Sequence, residues 1–394
     1  VPQLRNQPGF NNPSDVWTVN LVGQGTMDRL NIEKLQFNGL QNTQINAAGT
    51  LVSLTNPANA GGNFTIYRLH TTRADMNLLA GNSLKGTGIN LPASIDVSGL
   101  VRGNTGRLYT QLNVNSTEGD LDVNGSFANL TSPASMTYDA TVRASSLQLG
   151  RIMGMQGQVG SLTGTISANG RGVTPETINT TFKANINHIG YNQYAYRNIN
   201  VSGSLKKTFF KVNADVRDPN ADVTLVASGD YAAYGPFTID ADIDSVKAQN
   251  LGFSTQPLTF RGKISGTANH LNSANPTADI LLTDALVVSG TNRLPLDSLQ
   301  VIAGTDNENY IVLRSDIASA ELRGRYNLLQ LGDIIQNNLL PYFSTATVAP
   351  KPVDPYDIRF KADLVFSPVL QGFVPDLKRA DSVHMEGTLA TGQG

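Results

Sequence analysis

Apolar and polar residues alternate one by one along almost the whole chain. In Leu121-Asp-Val-Asn-Gly-Ser-Phe127 the odd positions Leu121, Val123 and Phe127 are apolar, the even ones are polar, and Gly125 is the one break. Ile178, Phe182, Ala184 and Ile186 alternate with Asn179, Thr181, Lys183 and Asn185. Phe210, Val212, Ala214 and Val216 follow the same rule, as do Phe237, Ile239, Ala241 and Ile243. It returns at Leu258, Phe260 and Ile264, and again at Ile358, Phe360, Ala362 and Leu364. Successive side chains of a strand point to opposite faces, so each segment predicts a strand with one apolar and one wet face. Strands buried on both sides, as in parallel sheets, would read as unbroken apolar runs. The pattern therefore predicts an all-β protein: a long, curved, mainly antiparallel repeat sheet curled into a groove.

Glycine followed by Thr or Ser punctuates the alternation, at Gly25, Gly49, Gly86, Gly125, Gly164, Gly203, Gly266 and Gly387. Placed at or near strand ends, these glycines predict bulges or tight bends that curve the sheet. Helix is scarce. Leu328, Leu331, Ile335, Leu339 and Tyr342, spaced by three and four, predict a helix within 327–343 that ends at or just before Pro341. Shorter helical turns are expected around Leu147–Met155 and Asp75–Gly81. Pro350, Pro352 and Pro355 make 344–356 a linker, which separates a continuous β-repeat groove over 1–343 from the start of a further repeat unit at 357–394. Internal similarity supports an array: Leu147-Gln-Leu-Gly-Arg-Ile-Met153 is similar to Leu329-Gln-Leu-Gly-Asp-Ile-Ile335, and Gly164–Gly170 to Gly387–Gly392.

Composition narrows the chemistry. Hydrophobic residues make up 40%, enough for a core, whereas charged residues are only 15% and the net charge is −2. Such a balance excludes a nucleic-acid partner, which calls for basic stripes; Lys206, Lys207 and Lys211 beside Phe209 and Phe210 form only a local cluster. With no cysteine, disulfides, thiolate metal sites and cysteine nucleophiles are all removed. His70, His188, His270 and His384 are scattered without metal-ligand spacing. Asp240, Asp242 and Asp244 sit two apart, on the polar face of their strand, and no glutamate completes a calcium loop. Gly23-Gln-Gly25 lacks the third glycine of a dinucleotide loop and reads as a turn or bulge. Trp17 alternates with Val19 and Leu21 and is expected to face the core. Nothing marks out a catalytic residue, a metal site or a cofactor, so no enzyme is expected.

The order of several segments resembles a known family. Leu91-Pro-Ala-Ser-Ile-Asp-Val-Ser-Gly-Leu-Val-Arg-Gly103, a strand at Leu112 and Thr117-Glu-Gly-Asp-Leu-Asp-Val-Asn-Gly125 succeed one another. Ser145–Met153, Asp218-Pro-Asn-Ala-Asp-Val-Thr-Leu225, and Asp357–Leu364 running into Leu370–Pro375 follow. Together these resemble the middle β-repeat region of the TamB (translocation and assembly module) branch of the AsmA-like family. The resemblance implies a protein of the periplasm of a Gram-negative-type envelope, anchored to the inner membrane and paired with an outer-membrane barrel through regions outside this sequence. It also implies a hollow for phospholipid or another acyl-chain lipid.

The apolar faces must be hidden from water somewhere. A coarse count of about 25 strands exceeds the ~10 that an open sheet holds without curling or splitting. One outcome is a trough on the order of 100 Å long, from strands ~4.8 Å apart. Moving a phospholipid through water exposes about 30 methylenes at ~0.8 kcal/mol each, about 24 kcal/mol, which an apolar floor offsets. The expected floor is Leu121, Val123, Phe127, Ile178, Phe182, Ile186, Phe210, Val212, Val216, Phe237, Ile239, Ile243, Phe260, Ile264, Phe360 and Leu364. The alternative is a closed β-solenoid or β-sandwich of structural or surface function, without lipid. A carbohydrate-active β-helix lacks a singled-out acid pair, and an outer-membrane barrel calls for longer strands and aromatic girdles.

Overall fold

The computed structural model describes residues 16–56, 59–80, 88–130, 132–273, 275–343, 351–365 and 382–391. Gly86, Pro350, the Leu370–Pro375 stretch and Gly392 fall outside these residues, as do the side chains of Leu339 and Tyr342. The chain divides into two compact units, Val1–Lys207 and Thr208–Gly394.

The first unit holds β1 (Thr18–Gly25), β2 (Arg29–Gly39), β3 (Thr43–Val52), β4 (Gly61–Thr72), β5 (Ser94–Asn104), β6 (Arg107–Ser116), β7 (Gly119–Ala128), β8 (Thr137–Leu147), β9 (Val159–Arg171), β10 (Asn179–Tyr191) and β11 (Tyr194–Lys206). Each strand pairs antiparallel with the next, and β1 is not paired with β11 among the described residues. Two short helices interrupt this meander, α1 (Arg73–Ala80) after β4 and α2 (Leu149–Ile152) after β8. The second unit repeats the plan with β12 (Phe209–Asp218), β13 (Ala221–Asp230), β14 (Phe237–Lys247), β15 (Leu258–Asn269), β16 (Thr277–Ser289), β17 (Asn292–Thr305), β18 (Asn309–Ser315), β19 (Ala318–Arg325), β20 (Asp357–Val365) and β21 (Ser382–Ala390). These too pair in chain order, all antiparallel. The fold is therefore all-β, antiparallel and open rather than barrel-closed, as the alternation predicts and as a curled groove requires.

Strands run from 7 residues in β18 to 14 in β17, longer than the short strands expected from sequence. Some bends flank the glycine-Thr/Ser pairs, as at Gly49 and Gly164, whereas Gly125, Gly203, Gly266 and Gly387 pair with no shift beside them. In β1–β4 each strand shifts register beside one cross-strand row, at Val22/Gly23, Ile32/Leu35, Asn46/Ala47 and Ile66/Leu69. Further shifts lie at Ala144/Leu147, Ile186/His188, Ile243/Val246 and Arg261/Lys263. An unpaired extra residue bends its strand and increases the local twist, so stacked bulges curve the sheet progressively.

Most of the glycine-Thr/Ser glycines sit inside strands, and there they make room. Gly49 lies opposite Phe64, Gly203 opposite Phe182 and Gly387 opposite Phe360. A Cβ at Gly49 would stand 2.3 Å from the Asn63 carbonyl oxygen and 2.9 Å from Phe64 Cδ1. At Gly49 and Gly387 the ring thus lies over the glycine, which levels the apolar face. Gly49→Val should lower stability by about 1–3 kcal/mol, through overpacking, in a thermal or urea melt. An unchanged midpoint would mean that the ring is not confined there.

The predicted helix near 327–343 is present as a 3-10 turn, Leu328–Gln330, leading into α3 (Leu331–Phe343). Asn327 caps the turn by accepting from the Leu329 amide. The helix continues past Pro341 rather than stopping before it. Proline's fixed φ is compatible with a helix, although its missing N–H forgoes one intrahelical bond near the end. Ile334 and Ile358 are fully buried and, with Tyr326, form a core joined by Leu322, Leu331, Tyr356 and Leu389. Beyond residues 344–350, β20 pairs with β19. The stretch before it is tied to α3, since the Asn337 side chain accepts from the Lys351 amide (3.0 Å) and donates to its carbonyl (2.8 Å).

Candidate functional site

In an antiparallel ladder, directly paired residues share a face. Following the pairing across the first unit gives one row: Leu21–Leu35–Ala47–Ile66–Gly99–Leu112–Val123–Val142–Ile166–Ala184–Val201. A second runs Val19–Phe37–Ile45–Leu69–Val97–Val114–Leu121–Ala144–Gly164–Ile186–Ile199. Every position in both rows is apolar or glycine. The rows lie about 7 Å apart and, with strands ~4.8 Å apart, each extends about 48 Å. In the second unit Val212–Ala227–Ile239–Gly266–Ile280–Val301–Leu313–Ala320–Ala362–Met385 forms an equally unbroken row.

The opposite face is mainly polar, with scattered apolar positions such as Leu100, paired with Gln111, and Val226, paired with Asp240. Ser98–Asn113–Asp122–Arg143–Thr165–Asn185–Asn200 is one of its rows. A hollow of about 530 Å³ lies over β6–β8, lined mainly by such side chains, including Gln111, Asn113, Asp122 and Arg143. Asp240, Asp242 and Asp244 are exposed on the polar face of β14. Asp244 approaches Arg217 (3.8 Å), which also pairs with Asp215 and Asp222. Among the described residues no three His, Cys, Asp or Glu side chains are grouped to hold a metal.

His70, His188 and His384 sit apart in strand ladders, and His270 directly follows β15. His70 is bonded to Asp96 (3.0 Å) and His188 to Ser161 (2.9 Å). His384 is bonded to Asp363 (2.6 Å), a bond that raises its pKa against the opposing effect of desolvation. Trp17 precedes β1 and meets Phe37 edge-on at 5.7 Å, next to the Val19–Phe37 pair.

All the floor residues expected from sequence lie on the apolar face of their unit, and Ile178 immediately precedes β10. None is sealed and none is fully exposed: Leu121, Val123, Phe127, Phe182, Ile186 and the rest of that set are all half-buried. A closed sandwich would bury such positions completely against a facing layer. Half-burial fits a face whose side chains shield one another with no facing layer packed over them among the described residues. The sequence reading missed other members of these rows, above all Leu35, Ile66, Leu112 and Val142. Their alternation is as regular, but only the register shows that they join.

Where the apolar face is covered, helices do it from one rim. Thr43 and Thr71 lie two residues from the paired Ile45 and Leu69, so their hydroxyls, 2.8 Å apart, are on the apolar side. Asp75 of α1 reaches over them. It accepts from Thr43 Oγ1 (2.7 Å), the Asn42 amide (2.8 Å) and the Gln41 amide (3.0 Å), and is fully buried. Burial pushes its pKa up, but the bonds from Asn42, Thr43 and Gln41 outweigh this and hold it below the ordinary 3.8. Its contribution to stability is therefore complete above that ordinary value and is lost as pH falls through the lowered folded-state value. Asp75→Asn should cost about 1.5–3 kcal/mol at neutral pH. It should also weaken the acid-side loss of stability below about pH 4. Identical acid melts of variant and parent would refute this anchoring.

α2 packs against β9, where Leu162 is buried opposite Leu147. Gly150 permits this approach, since a Cβ there would stand 1.8 Å from the Val159 carbonyl oxygen.

No protein-family model, curated protein or solved structure matches the chain.

Proposed function

We propose that this protein is a non-enzymatic lipid conduit whose apolar sheet face carries acyl chains while headgroups stay in water. What supports the reading is one observation: unbroken cross-strand rows of apolar residues and glycines, most of them half-buried, run across every strand of the first unit. Left bare, such a surface costs about 25 cal/mol per Å² of apolar area in contact with water. A hydrocarbon chain laid along the rows removes that cost and its own at once. The chemistry requires no catalytic group, only continuity, and the floor set from Leu121 to Leu364 is the working element.

On this reading the chain is a TamB-like bridge in the periplasm that supports outer-membrane biogenesis by carrying phospholipid between inner and outer membranes. Its envelope location, inner-membrane anchor and barrel partner rest on the family resemblance alone. The test is mass spectrometry of organic extracts from protein purified without detergent. Bound phospholipid at near-stoichiometric amounts is expected. Lipid-free protein that also takes up no added phospholipid would favour the closed structural array instead.

A further inference from the structure

At the rim where α1 and α2 fold over the apolar face of the first unit, a polar notch of about 390 Å³ separates them. Its walls carry two guanidinium groups, Arg73 and Arg151, one carboxylate, Glu118, and the amides of Asn77, Asn90 and Gln156. These come from four stretches that local sequence does not connect. Arg73 opens α1, Asn90 lies in the segment before β5, Glu118 is in the β6–β7 turn, and Arg151 is in α2. Hydrogen bonds hold them in place. Arg73 Nε donates to the Leu91 carbonyl (2.7 Å), and Asn90 Nδ2 donates to the Arg151 carbonyl (3.0 Å). The Asn90 amide donates to the Ile152 carbonyl (2.7 Å), and the Gln148 amide to the Glu118 carbonyl (2.6 Å). The Glu118 side chain is largely buried and meets Arg151 at 3.5 Å, a distance that leaves the pair loosely engaged.

Two guanidiniums about one opening recognise a phosphodiester, because their planar donor forks match its oxygens. A shielded carboxylate beside them recognises an ammonium group. We propose that this notch holds a zwitterionic phospho-amine headgroup, with the phosphate between Arg73 and Arg151 and the primary ammonium against Glu118, while the acyl chains of the same lipid lie on the apolar rows. The inference rests on the conduit reading and specifies its cargo as a phosphoethanolamine-type lipid. Acyl chains would enter the floor from this rim near Val114 and Leu121, which lie two residues inside the β6–β7 turn.

The test uses four phosphorus-NMR-visible probes with the full chain: dihexanoyl phosphatidylethanolamine below its micelle threshold, glycerophosphoethanolamine, its phosphoglycerol counterpart glycerophosphoglycerol, and inorganic phosphate. Arg73→Gln and Arg151→Gln should each weaken the first two by tenfold or more. Glu118→Gln should erase the preference for the ethanolamine probe over its phosphoglycerol counterpart. Val123→Asp, deep in the floor, should weaken only the acylated probe. Circular dichroism checks that the variants fold, and Arg73→Lys, which retains the charge, should recover part of the binding. If neither arginine variant alters binding of the ethanolamine probes, the notch assignment is wrong, whatever the floor variant does. If inorganic phosphate binds as well as glycerophosphoethanolamine and Glu118→Gln has no effect, the notch is a plain anion site and the headgroup proposal falls. If the notch variants act as expected but Val123→Asp leaves the acylated probe untouched, the headgroup site stands and the conduit reading fails.

Discussion

Val123→Asp or Ile239→Asp should lower acyl-lipid occupancy and transfer roughly 30- to 100-fold while the protein still folds. Val123 stands between Leu112 and Val142 in one of the two apolar rows of the first unit, and Ile239 between Ala227 and Gly266 in the row of the second. A carboxylate there keeps its water shell, which holds on the order of three methylenes of a passing chain away from the floor. At ~0.8 kcal/mol each this is about 2–3 kcal/mol, and tenfold corresponds to ~1.4 kcal/mol. Both side chains are half-buried, so the new charge reaches solvent and folding loses only about 1 kcal/mol. Asn113→Asp places the same carboxylate on the polar face, opposite Asp122, and should leave lipid occupancy unchanged. Transfer between donor and acceptor vesicles gives the readout. Equal rates in all three variants would remove the floor from the mechanism.

Ile334→Ala should produce the largest loss of stability of any single truncation considered. Ile334 has no exposed surface and meets Tyr326 and Ile358 in the closed core beneath α3. Its removal costs the transfer energy of the lost methylenes plus a cavity, about 2–4 kcal/mol. Its neighbour Ile335 is 37% exposed, and truncation there should cost less than about 0.5 kcal/mol. Chemical denaturation of both variants gives the comparison. If they are destabilised alike, α3 does not dock through the Ile334 side. Docked, it covers β19–β21 through Leu322, Ile358 and Leu389, so it shuts part of the apolar face of the second unit rather than lining it.

The sequence was most legible where physics is local. Single alternation from Leu121 to Phe127 or Phe237 to Ile243 reports strand and face together, because side chains of a strand point to opposite sides in turn. The spacing of three and four around Leu328, Leu331 and Ile335 likewise reports a helix, because one helical face recurs at that period. Legibility ended where partners are distant. Gly49 reads as a bend until Phe64 is known to lie across from it, and Gly387 until Phe360 is. Nothing in the alternation placed the bulges at Ile32/Leu35 or Ile66/Leu69, which depend on the match between neighbouring strands. Pro341 predicts the end of a helix that continues two residues further. The rim notch was invisible for the same reason as the Gly–Phe pairs. Arg73, Glu118 and Arg151 carry no shared spacing, and only the order of the meander brings the ends of β4, β6 and β8 to one side.

The most direct test places a photoreactive benzophenone side chain at single positions and irradiates the protein in cells. Leu112 and Val142 flank Val123 on the apolar face, whereas Asn113 and Arg143 belong to the polar row beside it. The account requires lipid adducts at Leu112 and Val142 and none at Asn113 and Arg143. Adducts on neither face, or on both alike, would contradict it.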